Sequence, residues 1–111
     1  MRDVLYESQL NALATTLSKA DFAEVLDAVF ADIDRIRESL EAPMEGQGVT
    51  GRQIAHKLVG LSSQFSLGSL EEASRAMLAH KGDLSPADRK TLVAEITKVI
   101  PVLKQYRARR G

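Results

Sequence analysis

The chain has 111 residues with 15 basic and 15 acidic side chains, and it contains no cysteine and no tryptophan. This is the size of one domain, so we expect a single domain over residues 1–111. The lack of cysteine excludes disulfides, thiol nucleophiles and cysteine-based zinc sites. No apolar run approaches the about 20 residues that span a bilayer, so we expect a cytoplasmic protein without membrane insertion. Zero net charge argues against nucleic-acid binding, which depends on phosphate neutralisation.

The zero net charge conceals an asymmetry along the chain. Residues 1–48 hold ten acidic and four basic residues, a net charge of −6, whereas residues 49–111 hold five acidic and eleven basic residues, a net charge of +6. His56 lies in the positive half. A basic surround favours bound phosphate and acidic partner surfaces, although salt screens exposed charges. The alternative interpretation is a domain with scattered, solvated charges.

Hydrophobic periodicity predicts helices almost throughout the chain. A short helix over about residues 6–17 precedes a long one. Ser18 with Asp21 resembles a capping box at the start of the long helix, and Pro43 follows its end. The apolar residues of the long helix recur at helical spacing; they are Phe22, Val25, Leu26, Val29, Phe30, Ile33, Ile36 and Leu40.

Two further helices are predicted in the middle of the chain. Thr50 with Gln53 forms a second capping-box pair, which starts the third helix. Ser69 with Glu72 predicts the start of the fourth helix, which we expect to end near Lys81. The apolar residues of the third helix are Ile54, Leu58, Leu61 and Phe65.

The last predicted helix begins with Pro86 at its first position and runs to the C-terminus. We expect Pro101 to kink this helix, because proline lacks a donor and crowds the carbonyl of Thr97. No strand, repeat or long linker is evident. The sequence therefore predicts an all-α fold, namely an antiparallel four-helix bundle with an additional short N-terminal helix.

The third helix carries one of the two histidines opposite its apolar side. At about 100° per residue, with His56 at 0°, Leu58 lies at about 200° and Phe65 at about 180°. We therefore expect His56 to face solvent. The alternatives are a histidine satisfied within the core and an exposed histidine without function. The residues that share its face, within about 60°, are Arg52, Val59, Gly60 and Ser63.

Gly60 requires its own explanation, because glycine inside a helix costs about 1 kcal/mol relative to alanine. It lies one turn beyond His56 on the same face. A bare backbone at this position lets the surface of another molecule approach the imidazole. Close packing between helices is the competing explanation, but Gly60 points away from the apolar side.

The segment from Ala55 to Phe65, AHKLVGLSSQF, resembles the signature of histidine-containing phosphotransfer (HPt) domains of bacterial phosphorelays. That signature is Ala-His-x-Leu-(Lys or small)-Gly, followed by small residues and an apolar residue nine positions after the histidine. The resemblance extends over nearly the whole chain in length, helix count and position of the histidine. Three positions depart from the family pattern: Val59 is often Lys, Ser66 is usually Gly, and Leu78 replaces a Gln of some members.

The resemblance implies that His56 accepts a phosphoryl group on Nε2 and later donates it. Receiver domains of response regulators would be the partners, and a hybrid histidine kinase is a further candidate. The receiver would supply the aspartyl phosphate, the magnesium ion and the catalytic lysine. The chain itself would then hold no cofactor or metal and would not be an autonomous enzyme, and we expect a monomer.

Supporting roles are also implied around the histidine. Arg52 and Lys57 are the alternatives for stabilising the phosphoryl group in place of the lysine missing at position 59. Val59, Gly60 and Ser63 would belong to the docking face. The competing hypothesis is a non-catalytic helical adaptor, a degenerate HPt domain that binds receivers or kinases without accepting phosphate, and the three departures are its support.

Other chemistry receives little support from the sequence. The segment from Gly46 to Gly51 fits G-x-G-x-x-G, but a helix rather than a strand precedes it, so a dinucleotide site is not predicted. His80 lies 24 residues from His56, without the spacing of a helical zinc site. We expect His80 to end its helix, where a positive charge suits the helix dipole.

Overall fold

The computed structural model describes residues 3–42, 50–80 and 82–110, and within these ranges it is all-helical without strands. The predicted all-α class is therefore confirmed. Pro43, Lys81 and most of the glycine-rich segment before Gly51 lie outside the described residues. No helix in the described ranges is long and apolar enough to cross a membrane. The helices are α1 (Glu7–Ala14), α2 (Lys19–Glu41), α3 (Gly51–Gln64), α4 (Gly68–Ala79) and α5 (Pro86–Arg110).

The predicted starts of α2 and α3 are confirmed by their capping hydrogen bonds. The Ser18 hydroxyl accepts the backbone N–H of Asp21 at 3.1 Å. At α3, the Thr50 hydroxyl accepts the Gln53 N–H at 3.1 Å, and the Gln53 side-chain oxygen accepts the Thr50 N–H at 2.8 Å. These bonds satisfy amides that have no partner inside the helix.

The predicted start of α4 at Ser69 and Glu72 is wrong. The helix begins at Gly68 after Leu67, which has no capping side chain. The Ser69 backbone N–H instead donates to the Asp3 carbonyl at 2.8 Å, so the N-terminal segment satisfies the amide. Gly68 permits this approach, because a Cβ there would lie 2.5 Å from the Asp3 carbonyl oxygen.

The other helix ends agree with the sequence more closely. His80 is the C-cap of α4, and Gly82 adopts a φ of 84°, the left-handed conformation that glycine favours. Pro86 is the first residue of α5. The helix continues through Pro101, which is exposed. The kink expected at Pro101 stays a prediction.

The helices enclose one apolar core. α2 packs against α3 and α5, and α4 packs against the same two helices. The interface between α3 and α4 is the most extensive, and each of these helices has a fully buried serine, Ser62 on α3 and Ser74 on α4. Each of the two hydroxyls donates to the carbonyl four residues earlier, at 2.5 Å and 2.8 Å, so neither is left unpaired.

The acidic and basic halves of the sequence are interleaved in the fold. α2, which carries many of the acidic residues, packs along the basic α5. Arg107 forms an ion pair with Asp27 at 2.9 Å, and Arg109 pairs with Glu7 of α1. The positive half of the chain therefore does not form a separate basic surface around His56.

Replacing Thr50 by alanine removes the cap of the helix that carries His56. We expect the free energy of unfolding to fall by about 1 kcal/mol, because the N–H of Gln53 loses its acceptor. Thr50→Ser keeps the hydroxyl and should retain most of the stability. Urea denaturation of the two variants measures the difference, and equal stability would contradict the capping role.

Candidate functional site

His56 lies in the middle of α3 on its exposed side. Leu58, which lies on the opposite side, and Ala55, which lies about 100° from His56 around the helix, are both 0% exposed. The predicted orientation of the helix is therefore confirmed, and the interpretation of His56 as a core histidine is wrong. Among the described residues, no hydrogen bond or ion pair involves the imidazole, so both ring nitrogens are available to solvent or to a partner.

The direction of helical side chains determines which residues lie beneath the imidazole. Side chains on a helix lean toward its N-terminus and cover the preceding turn. The imidazole of His56 therefore extends over the turn of Arg52 and Gln53. By the same rule, a side chain at position 60 would extend over His56. Gly60 thus leaves the histidine uncovered.

Gly60 has no packing partner that would require a glycine. It is exposed, and a Cβ built at this position meets no atom of the described protein outside the local helix backbone within 4 Å. Gly51 is different, because a Cβ there would lie 2.7 Å from the Asp83 carboxylate and 3.0 Å from Leu84. The fold accounts for Gly51 but not for Gly60, so close helix packing does not explain the residue beside His56.

Arg52 is not free to stabilise a group on His56 in this structure. Its guanidinium donates to the carbonyl oxygens of His80 at 2.6 Å, Gly82 at 3.2 Å and Leu78 at 3.2 Å. These oxygens belong to the end of α4 and the turn that follows. The side chain thus caps α4, a role that helical spacing alone did not predict.

Lys57 is the cation that follows His56 directly in the sequence. It is exposed, and no hydrogen bond or ion pair among the described residues involves its ammonium group. Lys57 also lies at the edge of a groove of about 660 Å³ between α2 and α3. Ile36, Ile54 and Leu61 supply apolar surface to this groove, and Arg35 and Asp32 contribute an exposed ion pair.

The other predicted docking residues have different exposures. Ser63 is exposed on the same side as His56, whereas Val59 is half-buried. Val59 therefore presents only part of its side chain, and no charge, where the family often has lysine. Ser66 is a buried residue with a φ of 61°, a left-handed backbone conformation that favours glycine. The family's usual glycine fits this conformation better than serine does.

Sequence reasoning missed two features near the site. Asp83 accepts the backbone N–H of Arg52 at 2.9 Å and thereby links the start of α3 to the turn before α5. The signal available was an aspartate directly after Gly82, a common turn pattern that does not name its distant partner. The groove between α2 and α3 was also missed, because its shape depends on how two helices pack.

His80 and His56 do not form a metal site. Within the described ranges, no group of three or more histidine and acidic side chains is positioned to hold a metal ion. His80 instead ends α4, as its position in the sequence predicted.

Comparison of the chain with models of protein families, with curated proteins and with solved structures finds no match.

Substitution of Gly60 by alanine should stabilise the protein. We expect the free energy of unfolding to rise by about 0.5–1 kcal/mol, since alanine is the better helix former and the added methyl group has open space. Gly68→Ala is the matched control, because its methyl group would meet the Asp3 carbonyl and the Tyr6 ring. That variant should lose about 1–3 kcal/mol. A loss of stability in Gly60→Ala during thermal or urea unfolding would contradict this interpretation.

Proposed function

We propose that the protein is a histidine phosphotransfer protein, which relays a phosphoryl group between receiver domains through phosphohistidine at His56. The observation that carries the proposal is the exposed histidine beside Gly60, a glycine that weakens the helix and is not required by packing against any of the described residues. A need for access to the imidazole explains this glycine. The HPt-like motif from Ala55 to Phe65 indicates that the chemistry of this accessible histidine is phosphoryl transfer.

The proposed fold is the one that the HPt resemblance implies, an antiparallel bundle of α2 to α5 with α1 as the additional helix. The pairwise packing of these four helices supports it. α4 packs against α3, in which Ala55 and Ser62 are fully buried. The opposite side of α3, together with the groove toward α2, remains open for a receiver in the cytoplasm.

The transfer step needs one nucleophile from this chain. The Nε2 lone pair of a neutral His56 attacks phosphorus as the bond to the receiver's aspartyl oxygen breaks, leaving a carboxylate. The Nδ1 proton stays on the ring, which becomes positively charged. Phosphoryl transfer depends mainly on alignment and on stabilisation of charge. The receiver's magnesium ion and lysine provide that stabilisation, so this chain needs no cofactor of its own.

Lys57 is the residue of this chain that supports the phosphoryl group during docking. Its ammonium group is unpaired among the described residues, whereas the guanidinium of Arg52 already has three acceptors. A lysine is a compact, flexible charge that reaches a phosphate without fixed geometry. Its place at the edge of the α2–α3 groove puts positive charge beside the surface that a receiver would cover.

A non-catalytic adaptor is the second candidate function. The half-buried Val59 stands where the family often has a lysine, so the histidine face has one cation fewer. The guanidinium of Arg52 is hydrogen-bonded to the end of α4. These features leave the site weaker in positive charge than the family pattern implies. The adaptor hypothesis retains receiver binding and removes the phosphohistidine.

Incubation with a phosphorylated receiver should transfer phosphate to the wild-type chain and not to His56→Gln. The label should be acid-labile, because it is bound to nitrogen. Gly60→Ala is the matched variant, which keeps the nucleophile but adds a methyl group to the face that a receiver would cover, and it should accept phosphate about tenfold more slowly. Equal labelling of wild type and His56→Gln would refute the site assignment.

Receiver binding separates the two candidate functions. An adaptor would bind a receiver equally well after His56→Ala and would carry no phosphate in any variant. Titration calorimetry of both chains with the same receiver measures the affinity.

Lys57→Gln should slow phosphoryl transfer about tenfold and leave the stability unchanged, because the exposed ammonium makes no contact that folding requires. Transfer from a phosphorylated receiver at low and at physiological salt measures this effect, which should be larger at low salt. Lys90, an exposed lysine of α5 that does not line the α2–α3 groove, supplies the control variant Lys90→Gln. Equal rates in the two variants would remove Lys57 from the site.

A further inference from the structure

Arg52 connects the face of His56 to the end of α4. Its backbone N–H donates to the Asp83 carboxylate at 2.9 Å, and its guanidinium donates to the carbonyls of Leu78, His80 and Gly82. The same carboxylate also accepts the Leu84 N–H at 2.8 Å. A single residue of α3 thus holds both the last turn of α4 and the turn leading to α5.

The acceptors of the guanidinium are all neutral. No ion pair among the described residues involves Arg52, although arginine is suited to bidentate binding of carboxylate and phosphate. Hydrogen bonds to an anion are roughly twice as strong as those between neutral groups. An anion within reach would therefore compete well with these carbonyls.

His56 places such an anion nearby once it is phosphorylated. Arg52 precedes it by four residues, and residues at this spacing have Cβ atoms about 5–6 Å apart on one helix face. The imidazole also leans toward the turn of Arg52. A phosphoryl group on Nε2 adds up to two negative charges above that turn.

Loss of the three hydrogen bonds from Arg52 to these carbonyls costs the fold little free energy. The bonds to His80 and Gly82 are exposed to solvent, and the bond to Leu78 is only partly buried. Water can replace the guanidinium at these oxygens, so the loss is far smaller than for a buried acceptor.

We propose that the Arg52 guanidinium exchanges its carbonyl partners for the phosphoryl group of phosphohistidine 56, and that this exchange loosens the end of α4. The inference rests on the proposed function. It adds a regulatory consequence, because the surface around His80 and Gly82 then differs between the phosphorylated and the free protein. A partner that contacts this turn would distinguish the two forms.

The experiment uses the full chain and phosphoramidate, which needs no receiver. Its P–N bond breaks as ammonia leaves, and a new bond forms between phosphorus and His56 Nε2. Intact mass measures the phosphoryl content, and His56→Gln is the control for any label on the exposed His80. Hydrogen exchange is then compared between the two forms at the amides of Leu78, Ala79 and His80. We expect exchange about fivefold faster after phosphorylation, the effect of losing a typical hydrogen bond.

Two variants test the part played by Arg52 itself. Arg52→Gln should show fast exchange at the end of α4 without phosphate and no further change with it. The reason is that the guanidinium hydrogen bonds to α4 are already absent in this variant. Lys90→Gln is the control, which removes an exposed cation of α5 and should keep the phosphorylation-dependent change. Arg52→Lys retains the charge but not the forked donor, and it should behave like Arg52→Gln at α4.

The outcomes separate this inference from the proposed function. Phosphorylated His56 with unchanged exchange at α4 would overturn the exchange of partners and leave phosphotransfer intact. The same increase in wild type and Arg52→Gln would exclude Arg52 as its cause. Failure of phosphoramidate to label His56 would overturn both.

Discussion

The rotation of α3 about its own axis is the constraint on which the site depends. Ala55 and Leu58 are fully buried, and the helix that carries them packs most extensively against α4. Burial of an apolar side chain such as leucine contributes about 1.5–3 kcal/mol, so turning the helix to bury His56 would expose groups that stabilise the fold. The histidine is therefore held outward by residues that have no part in its chemistry.

The features that depend on local sequence were predictable. Capping pairs at Ser18 and Thr50 act within one turn, and they appear as predicted. The exposure of His56 follows from helical periodicity. Features that depend on distant segments were not predictable, because no local rule names the partner. The start of α4 is set by the Asp3 carbonyl, and Arg52 is held by carbonyls 26 to 30 residues away.

Arg52 shows why angular position alone is a poor guide to chemistry. The helical wheel places it closer to His56 than Lys57, which favours it as the phosphate ligand. In the unphosphorylated protein its guanidinium instead binds carbonyls at the end of α4, so the wheel alone does not give its contacts. A long side chain is directed by the acceptors it finds, and the unsatisfied carbonyls at a helix end are strong acceptors. Lys57, which finds none among the described residues, retains a charge for a partner.

The central claim is that His56 is the phosphoryl acceptor, and NMR of the imidazole nitrogens tests it most directly. The chain has only two histidines, so labelling with ¹⁵N-histidine gives an interpretable spectrum. After reaction with a phosphorylated receiver, the account predicts a one-bond ¹⁵N–³¹P coupling at Nε2 of His56 and none at His80. Absence of the coupling at His56, or its appearance at His80 alone, would contradict the account.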